Sequence, residues 1–145
     1  MRESDLQSVN CPSGVNCVAL QHVEVKIKMD NPNLVQLSKS FAIEIIALCK
    51  IIREQRNENV LVNQLLRSGT SIGANIHEGN YASSRLDFIS KFQIALKECY
   101  ETAYWLDVFH STNYITGEEY EQLIADCNKI RSKLTASIKT AKQHM

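Results

Sequence analysis

The chain has 145 residues, and its 16 basic and 16 acidic side chains give a formal net charge of zero. A neutral chain is not attracted as a whole to nucleic acid or to an anionic membrane. Five glycines, two prolines and 44% hydrophobic residues exclude a collagen-like chain, extended disorder and a turn-rich all-β fold. The length predicts one domain, large enough to fold without a metal ion or a disulfide.

The first 30 residues differ from the rest of the chain. Residues 1–20 show no hydrophobic period, whereas residues 23–29 alternate apolar and charged side chains, as a β-strand does. Since a single strand has no partner in a helical chain, three interpretations stay open: a disordered arm, an edge strand that pairs between subunits, or translation from upstream of a true start at Met29. We therefore divide the chain into an N-terminal arm, residues 1–30, and a bundle domain, residues 31–145.

Hydrophobic residues at three- and four-residue steps predict a first helix that ends near Gln55. Asn31 suits its N-cap, and Pro32 suits its first position, where a missing N–H costs nothing. After a short polar turn, a second helix is predicted from about Val60 to Asn80. Its apolar face carries Leu61, Leu65, Ile72 and Ile76.

The third helix is predicted to start after Ser83 and Ser84 and to end at residues 110–113. Its main stripe consists of Leu86, Ile89, Phe92, Leu96, Cys99, Ala103, Leu106 and Phe109, and it is widened by Phe88, Tyr100, Tyr104 and Trp105. A helix that is apolar over so much of its circumference packs on two sides. We interpret the second side as a candidate subunit interface.

Thr116 and Glu119 have the spacing of a capping box, which predicts a fourth helix that ends near Gln143. Four helices joined by short turns predict an all-α fold, an antiparallel up-down-up-down four-helix bundle. The apolar runs are far shorter than the roughly 18 residues of a membrane span, so we expect no membrane association and a cytoplasmic location. An odd number of cysteines argues against a disulfide framework. Cys49, Cys99 and Cys127 fall in apolar stripes, as buried side chains do.

A polar stripe on the second helix is the best candidate for a functional site. Arg67, Ser71, Asn75 and Glu78 lie three or four residues apart and therefore share one surface. Three uses of this stripe stay open: an internal network that fixes helix packing, a subunit interface, or a site for a ligand or nucleic acid.

Two glycines occupy the middle of the same helix. Gly69 and Gly73 are four residues apart, and a mid-helix glycine costs about 1 kcal/mol relative to alanine. Small residues at this spacing allow another helix to approach closely. The pair therefore predicts close helix packing, and the sequence has no Walker pattern that would indicate a phosphate loop.

The fourth helix carries its acids early and its bases late. The late bases are Lys129, Arg131, Lys133, Lys139 and Lys142. This order complements the helix dipole, and the alternative is a basic patch that contacts a nucleic-acid backbone.

The histidines do not match a known metal motif. His77 and Glu78 begin a metalloprotease-like pattern, but Tyr81 stands where the second histidine is required. Repeated Glu-x-x-His pairs, which a di-iron bundle needs, are absent from the sequence. We therefore predict no metal ion, no cofactor and no catalytic residues.

The run LLRSGTSIGANIHEG, residues 65–79, resembles the signature of the four-helix bundle proteins encoded in intervening sequences of bacterial 23S ribosomal RNA genes. Residues 84–89, 95–98 and 114–115 also fit that family, and the resemblance covers about residues 33–142. It implies a bacterial protein without an assigned biochemical role. A related branch is the accessory protein of diversity-generating retroelements. That branch forms a homopentameric ring and binds nucleic acid and a reverse transcriptase through a strongly basic surface.

The present chain differs from that branch in its charge. Residues 1–28 hold three bases and three acids, so residues 29–145 are neutral as well. We therefore expect a non-enzymatic, self-associating bundle that acts as an oligomeric scaffold or accessory protein, with itself as partner in a homopentamer. The alternative is a nucleic-acid-binding accessory module that uses the basic end of the fourth helix.

Overall fold

The computed structural model describes residues 33–143, so the expectation for the N-terminal arm lies outside the described residues. Four helices make up this part of the chain: α1 (Leu34–Arg56), α2 (Val60–Asn80), α3 (Arg85–Ser111) and α4 (Gly117–Gln143). Residues 33–143 contain no strand, which confirms the predicted all-α class. The predicted bounds of α2 agree with the observed ones, and the predicted end of α1 differs by one residue.

Contacts between neighbouring helices show their relative directions. As the residue numbers increase along α2, the numbers of the contacting residues in α1 decrease. Asn63 accepts a hydrogen bond from Arg53, and Gly73 faces Ser38. The same reversal joins α2 to α3 (Arg67 with Glu101, Gly79 with Phe92) and α3 to α4 (Cys99 with Cys127, His110 with Tyr120). Consecutive helices are therefore antiparallel, and α1 runs parallel to α3.

The helices pack in chain order around one core. Each helix contacts its neighbours in the chain, and α1 also contacts α4. The diagonal pairs, α1 with α3 and α2 with α4, make no close backbone contact. This arrangement is the predicted up-down-up-down bundle.

The start of α1 corrects the prediction that Asn31 is the N-cap. Asn33 is the N-cap, and its side chain accepts a 2.9 Å hydrogen bond from the Gln36 N–H. The Gln36 side chain accepts a bond in return from the Asn33 N–H at 3.1 Å. Both asparagines suit the cap by residue type, but only Asn33 has a residue three positions later that can complete this capping box, because Leu34 follows Asn31 at that spacing.

The predicted caps of α3 and α4 are confirmed. The Ser84 hydroxyl accepts from the Asp87 N–H at 3.1 Å. The Thr116 hydroxyl accepts from the Glu119 N–H at 3.2 Å, and the Glu119 carboxylate accepts from the Thr116 N–H at 2.8 Å. Each cap satisfies backbone donors that the first helical turn leaves without partners.

The core lies between the four helices and is filled by large apolar side chains. Those with almost no exposed surface are Phe41, Ile45, Ile52, Val62, Leu65, Ile72, Ile76, Leu106, Phe109, Leu123, Ile130 and Leu134. Cys49, Cys99 and Cys127 are buried among them, as predicted. Burial raises the pKa of the Cys49 thiol to about 12, so this group stays neutral at physiological pH.

The prediction that Leu86 belongs to the core stripe of α3 is wrong. It is 65% exposed, and Ala95 and Thr102 are buried in the core instead. At about 100° per residue, Leu86 lies on the same line as Tyr104, five turns later, on the face of α3 that points away from the core. No helix among the described residues is long and apolar enough to cross a bilayer.

Candidate functional site

The charged members of the polar stripe turn toward α3. The Arg67 guanidinium pairs with the carboxylates of Glu98, at 3.4 Å, and Glu101. The Glu78 carboxylate pairs with the Lys91 ammonium group at 2.5 Å. These ion pairs link α2 to α3 near both ends of the stripe.

The polar side chains in the middle of the stripe form a hydrogen bond within α2 itself. The Asn75 side-chain amide donates a 2.9 Å hydrogen bond to the carbonyl oxygen of Ser71, one turn earlier. Both residues are half-buried. The four stripe residues therefore lie on one surface, as their spacing predicts, and these bonds hold α2 together or join it to α3.

Glu101 is a shared acceptor at this contact. It binds Arg67 and also accepts a hydrogen bond from the Trp105 indole N–H at 3.3 Å. The hydrogen bond from Arg67 holds the pKa of the Glu101 carboxyl below its ordinary value. Sequence reasoning missed these partners, because the spacing of residues within one helix does not say which side chains of another helix they meet. The i, i+3 spacing of Glu98 and Glu101 was the available signal.

The two glycines of the sequence motif have different surroundings. A β-carbon placed on Gly69 would lie 2.9 Å from a methyl carbon of Ile45, which is fully buried. A β-carbon on Gly73 would lie 3.4 Å from the carbonyl oxygen of Ser38, an ordinary van der Waals distance. Gly69 is thus tightly packed against the Ile45 side chain of α1, and Gly73 has room for a methyl group.

Gly79 is a third packing glycine, and sequence reasoning missed it. A β-carbon there would lie 2.7 Å from two ring carbons of Phe92, which is only 3% exposed. Glycines are common at helix ends as terminators, so the position of Gly79 in the sequence does not indicate a packing role.

The five bases of α4 do not form one surface. The Lys129 ammonium group pairs with Asp126 at 2.7 Å, and the Arg131 guanidinium lies 5.0 Å from the centre of the Tyr100 ring. Lys133 and Lys142 are nine residues apart, which places them on opposite sides of an α-helix. Lys139 and Lys142 are exposed, and Lys133 is half-buried.

Two buried thiols meet between α3 and α4. The Cys127 thiol donates a hydrogen bond to the Cys99 carbonyl oxygen, with a sulfur–oxygen distance of 3.4 Å. The neighbouring Cys127 side chain and burial raise the pKa of the Cys99 thiol. Within residues 33–143, no three His, Cys, Asp or Glu side chains are close enough together to hold a metal ion.

Two shallow depressions lie at the end of the bundle where α2 stops and α3 begins. Their volumes are about 280 and 420 Å³, and Asn80 and Phe88 line both. No member of the polar stripe lines either depression. The stripe therefore lies along a helix contact and outside these depressions.

Large apolar side chains are exposed on α1, on α3 and at the two ends of α2. Tyr100 and Tyr104 of α3 are 57% and 60% exposed, and Ile43 and Ile46 of α1 are 46% and 49% exposed. The tyrosines belong to the second side of α3, which the sequence marks as a candidate interface.

Comparison with known proteins places the chain in a family. Residues 31–136 match the model of the 23S rRNA-intervening sequence protein family. The chain is also similar to a crystal structure of a protein of unknown function from the S23 ribosomal protein family of Bacteroides thetaiotaomicron VPI-5482. Sequence identity is 47%, the match covers 74% of this chain and 99% of that chain, and the TM-score is 0.73. No curated protein matches. The chain therefore belongs to the family of 23S rRNA-intervening sequence proteins, in agreement with the resemblance seen in its sequence.

Proposed function

We propose that this protein is a non-enzymatic, self-associating scaffold or accessory protein. The observation that carries the proposal is the exposure of large aliphatic and aromatic side chains on α1 and α3, with Tyr104 60% exposed. Exposed apolar groups that recur along a helix mark interaction surfaces. Aromatic residues, tyrosine among them, are enriched where protein surfaces associate.

The ion pairs and the hydrogen bond of the polar stripe support this proposal. Arg67 is paired with two carboxylates of α3, and Asn75 is bonded to its own helix. The ion pairs of Arg67 and Glu78 join α2 to α3, and the bond of Asn75 stays within α2. The stripe accordingly serves the architecture that presents the outer faces of α1 and α3.

The proposed assembly is a closed homopentamer, as the resemblance to the retroelement accessory branch implies. Sedimentation velocity and multi-angle light scattering of the full chain at micromolar concentration test it. We expect a single species with five times the protomer mass. A strictly monomeric mass would overturn self-association, and a different closed number of subunits would overturn the pentamer alone.

The alternative, a nucleic-acid-binding module, receives less support from the arrangement of α4. Lys129 is paired with Asp126, and the other bases point in different directions around the helix. Fluorescence anisotropy with single- and double-stranded RNA and DNA, at two salt concentrations, tests this alternative. Salt-dependent binding that is lost in a Lys133→Glu/Lys139→Glu variant would favour it over the scaffold.

A further inference from the structure

Two apolar faces lie on separate sides of the bundle. The α1 face is formed by Ile43 and Ile46, and the α3 face by Tyr100 and Tyr104, all of them exposed. Because α1 and α3 are diagonal in the bundle and make no close backbone contact, their outer faces lie on separate sides, and the α3 face borders α4, since the Arg131 guanidinium lies 5.0 Å from the centre of the Tyr100 ring. One chain therefore presents two different apolar faces on two separate surfaces.

The two faces overlap in level along the bundle. Gly69 of α2 meets Ile45, which lies between the two isoleucines of the α1 face. Two residues earlier in α2, Arg67 pairs with Glu98 and Glu101, which flank Tyr100 in the sequence of α3. The same short segment of α2 thus contacts both helices at the positions of their exposed apolar residues.

Complementary charges extend the two faces in the same direction. Lys50 lies about one turn after Ile46 in α1, and Asp107 lies about one turn after Tyr104 in α3. Both side chains are exposed, and neither forms an ion pair or hydrogen bond with any residue in the described range 33–143. Since α1 and α3 run parallel, the lysine and the aspartate lie beyond their faces toward the same end of the bundle.

We propose that the α1 face of one chain docks on the α3 face of a second copy of the chain, with Lys50 opposite Asp107. This inference rests on the proposed self-association and names the surfaces that carry it. The contact is heterologous, because two different patches meet, and such contacts generate rings or open filaments. A closed ring whose axis is parallel to the helices requires both that the rise from one copy to the next is zero and that the two faces are inclined to each other.

Complementation between two face variants tests the proposal. The first variant, Ile43→Asp/Ile46→Asp, removes the α1 face, and the second, Tyr100→Asp/Tyr104→Asp, removes the α3 face. We expect each variant alone to be monomeric in sedimentation velocity. An equimolar mixture should form a heterodimer and nothing larger, because only one intact pair of faces remains. The control, Val60→Asp/Tyr81→Asp, changes residues that are 72% and 80% exposed outside both faces, and it should assemble like the wild type.

Other outcomes would overturn the proposal. An isologous contact would leave one variant oligomeric, and the mixture would contain no heterodimer. If the wild type assembles and both variants assemble equally well, the assigned faces are wrong, while the proposed scaffold stands. If the wild type is monomeric, the proposed self-association fails.

A charge exchange tests the register without removing any apolar side chain. Lys50→Asp and Asp107→Lys should each weaken assembly about tenfold, because like charges then face each other across the contact. The double variant should restore assembly to the wild-type level. Single variants without effect, or a double variant no better than the singles, would contradict the pairing of Lys50 with Asp107. Circular dichroism confirms that every variant keeps the helical fold.

Discussion

The two contacts that α2 makes with its neighbours differ in kind. Against α1, α2 packs tightly at Gly69, where the side chain of the fully buried Ile45 fills the space. Against α3, ion pairs of Arg67 and Glu78 bridge the helices at partly exposed positions. Close packing depends on shape and tolerates little change, whereas exposed ion pairs are screened by water and contribute little each. The contact with α1 is thus limited by packing volume at Gly69, whereas the contact with α3 carries ion pairs at its partly exposed edge in addition to its buried packing.

A substitution at Gly79 tests this comparison most strongly, because Gly79 is a tightly packed position in the contact that carries the ion pairs. Gly79→Ala should destabilise the bundle by about 2 kcal/mol, since the added carbon would lie 2.7 Å from the buried Phe92 ring. Thermal and urea unfolding measure the loss. An alanine variant as stable as the wild type would mean that the ring moves aside freely.

Gly69→Ala should cost about 1 kcal/mol, because overpacking against Ile45 exceeds the gain in helix propensity. A double-mutant cycle sharpens the test. In an Ile45→Ala background, the methyl group added by Gly69→Ala would have space, and the same substitution should become stabilising. If Gly69→Ala still destabilises the bundle in the Ile45→Ala background, the Ile45 side chain is not what opposes the added methyl group.

Gly73→Ala should stabilise the bundle by about 0.5–1 kcal/mol, because alanine is the better helix former and the new methyl group has room. Its β-carbon would make only an ordinary 3.4 Å contact with the Ser38 carbonyl oxygen. Urea melts run beside the Gly69 variant provide the comparison. Destabilisation at Gly73 would show that this part of α2 is as tightly packed as Gly69.

Arg67→Met should have the smallest effect, a loss of about 0.5 kcal/mol at neutral pH, because exposed pairs are screened. The pKa of Glu101 is held below its ordinary value of 4.5 by the bond from Arg67. The pair therefore stabilises the fold above that pH, and its contribution disappears as the pH falls through the lowered pKa. The stability difference between wild type and variant should shrink in acid, and a difference that grows there would contradict the assignment.

Most of the fold follows from the sequence. The three- and four-residue hydrophobic steps predict the helices, and the capping spacings of Ser84 and Thr116 predict where α3 and α4 begin. The start of α1 was misplaced because Asn31 and Asn33 are equally good cap residues by type. The capping-box spacing of Asn33 and Gln36 distinguishes them, and this signal was available in the sequence.

The candidate site could be predicted only in part. The spacing of Arg67, Ser71, Asn75 and Glu78 predicts that they share one surface, because the helical repeat alone determines which residues lie on the same side. The partners of that surface, Glu98 and Lys91, depend on how α3 is rotated against α2, and one sequence does not contain that rotation. The unequal surroundings of Gly69 and Gly73 likewise arise from side chains on another helix.

The contact between α1 and α4 has a consequence for folding kinetics. Every other close helix contact within residues 33–143 joins neighbours in the chain, so three of the four contacts close only short loops. Chains rich in such local contacts fold fast, because little loop entropy is lost before a contact forms. Pairing of α1 with α4 requires the whole domain to close on itself, and we expect it to form last during folding and to open first in the native state. The amide protons that face this contact should therefore exchange with solvent earlier than those between α2 and α3.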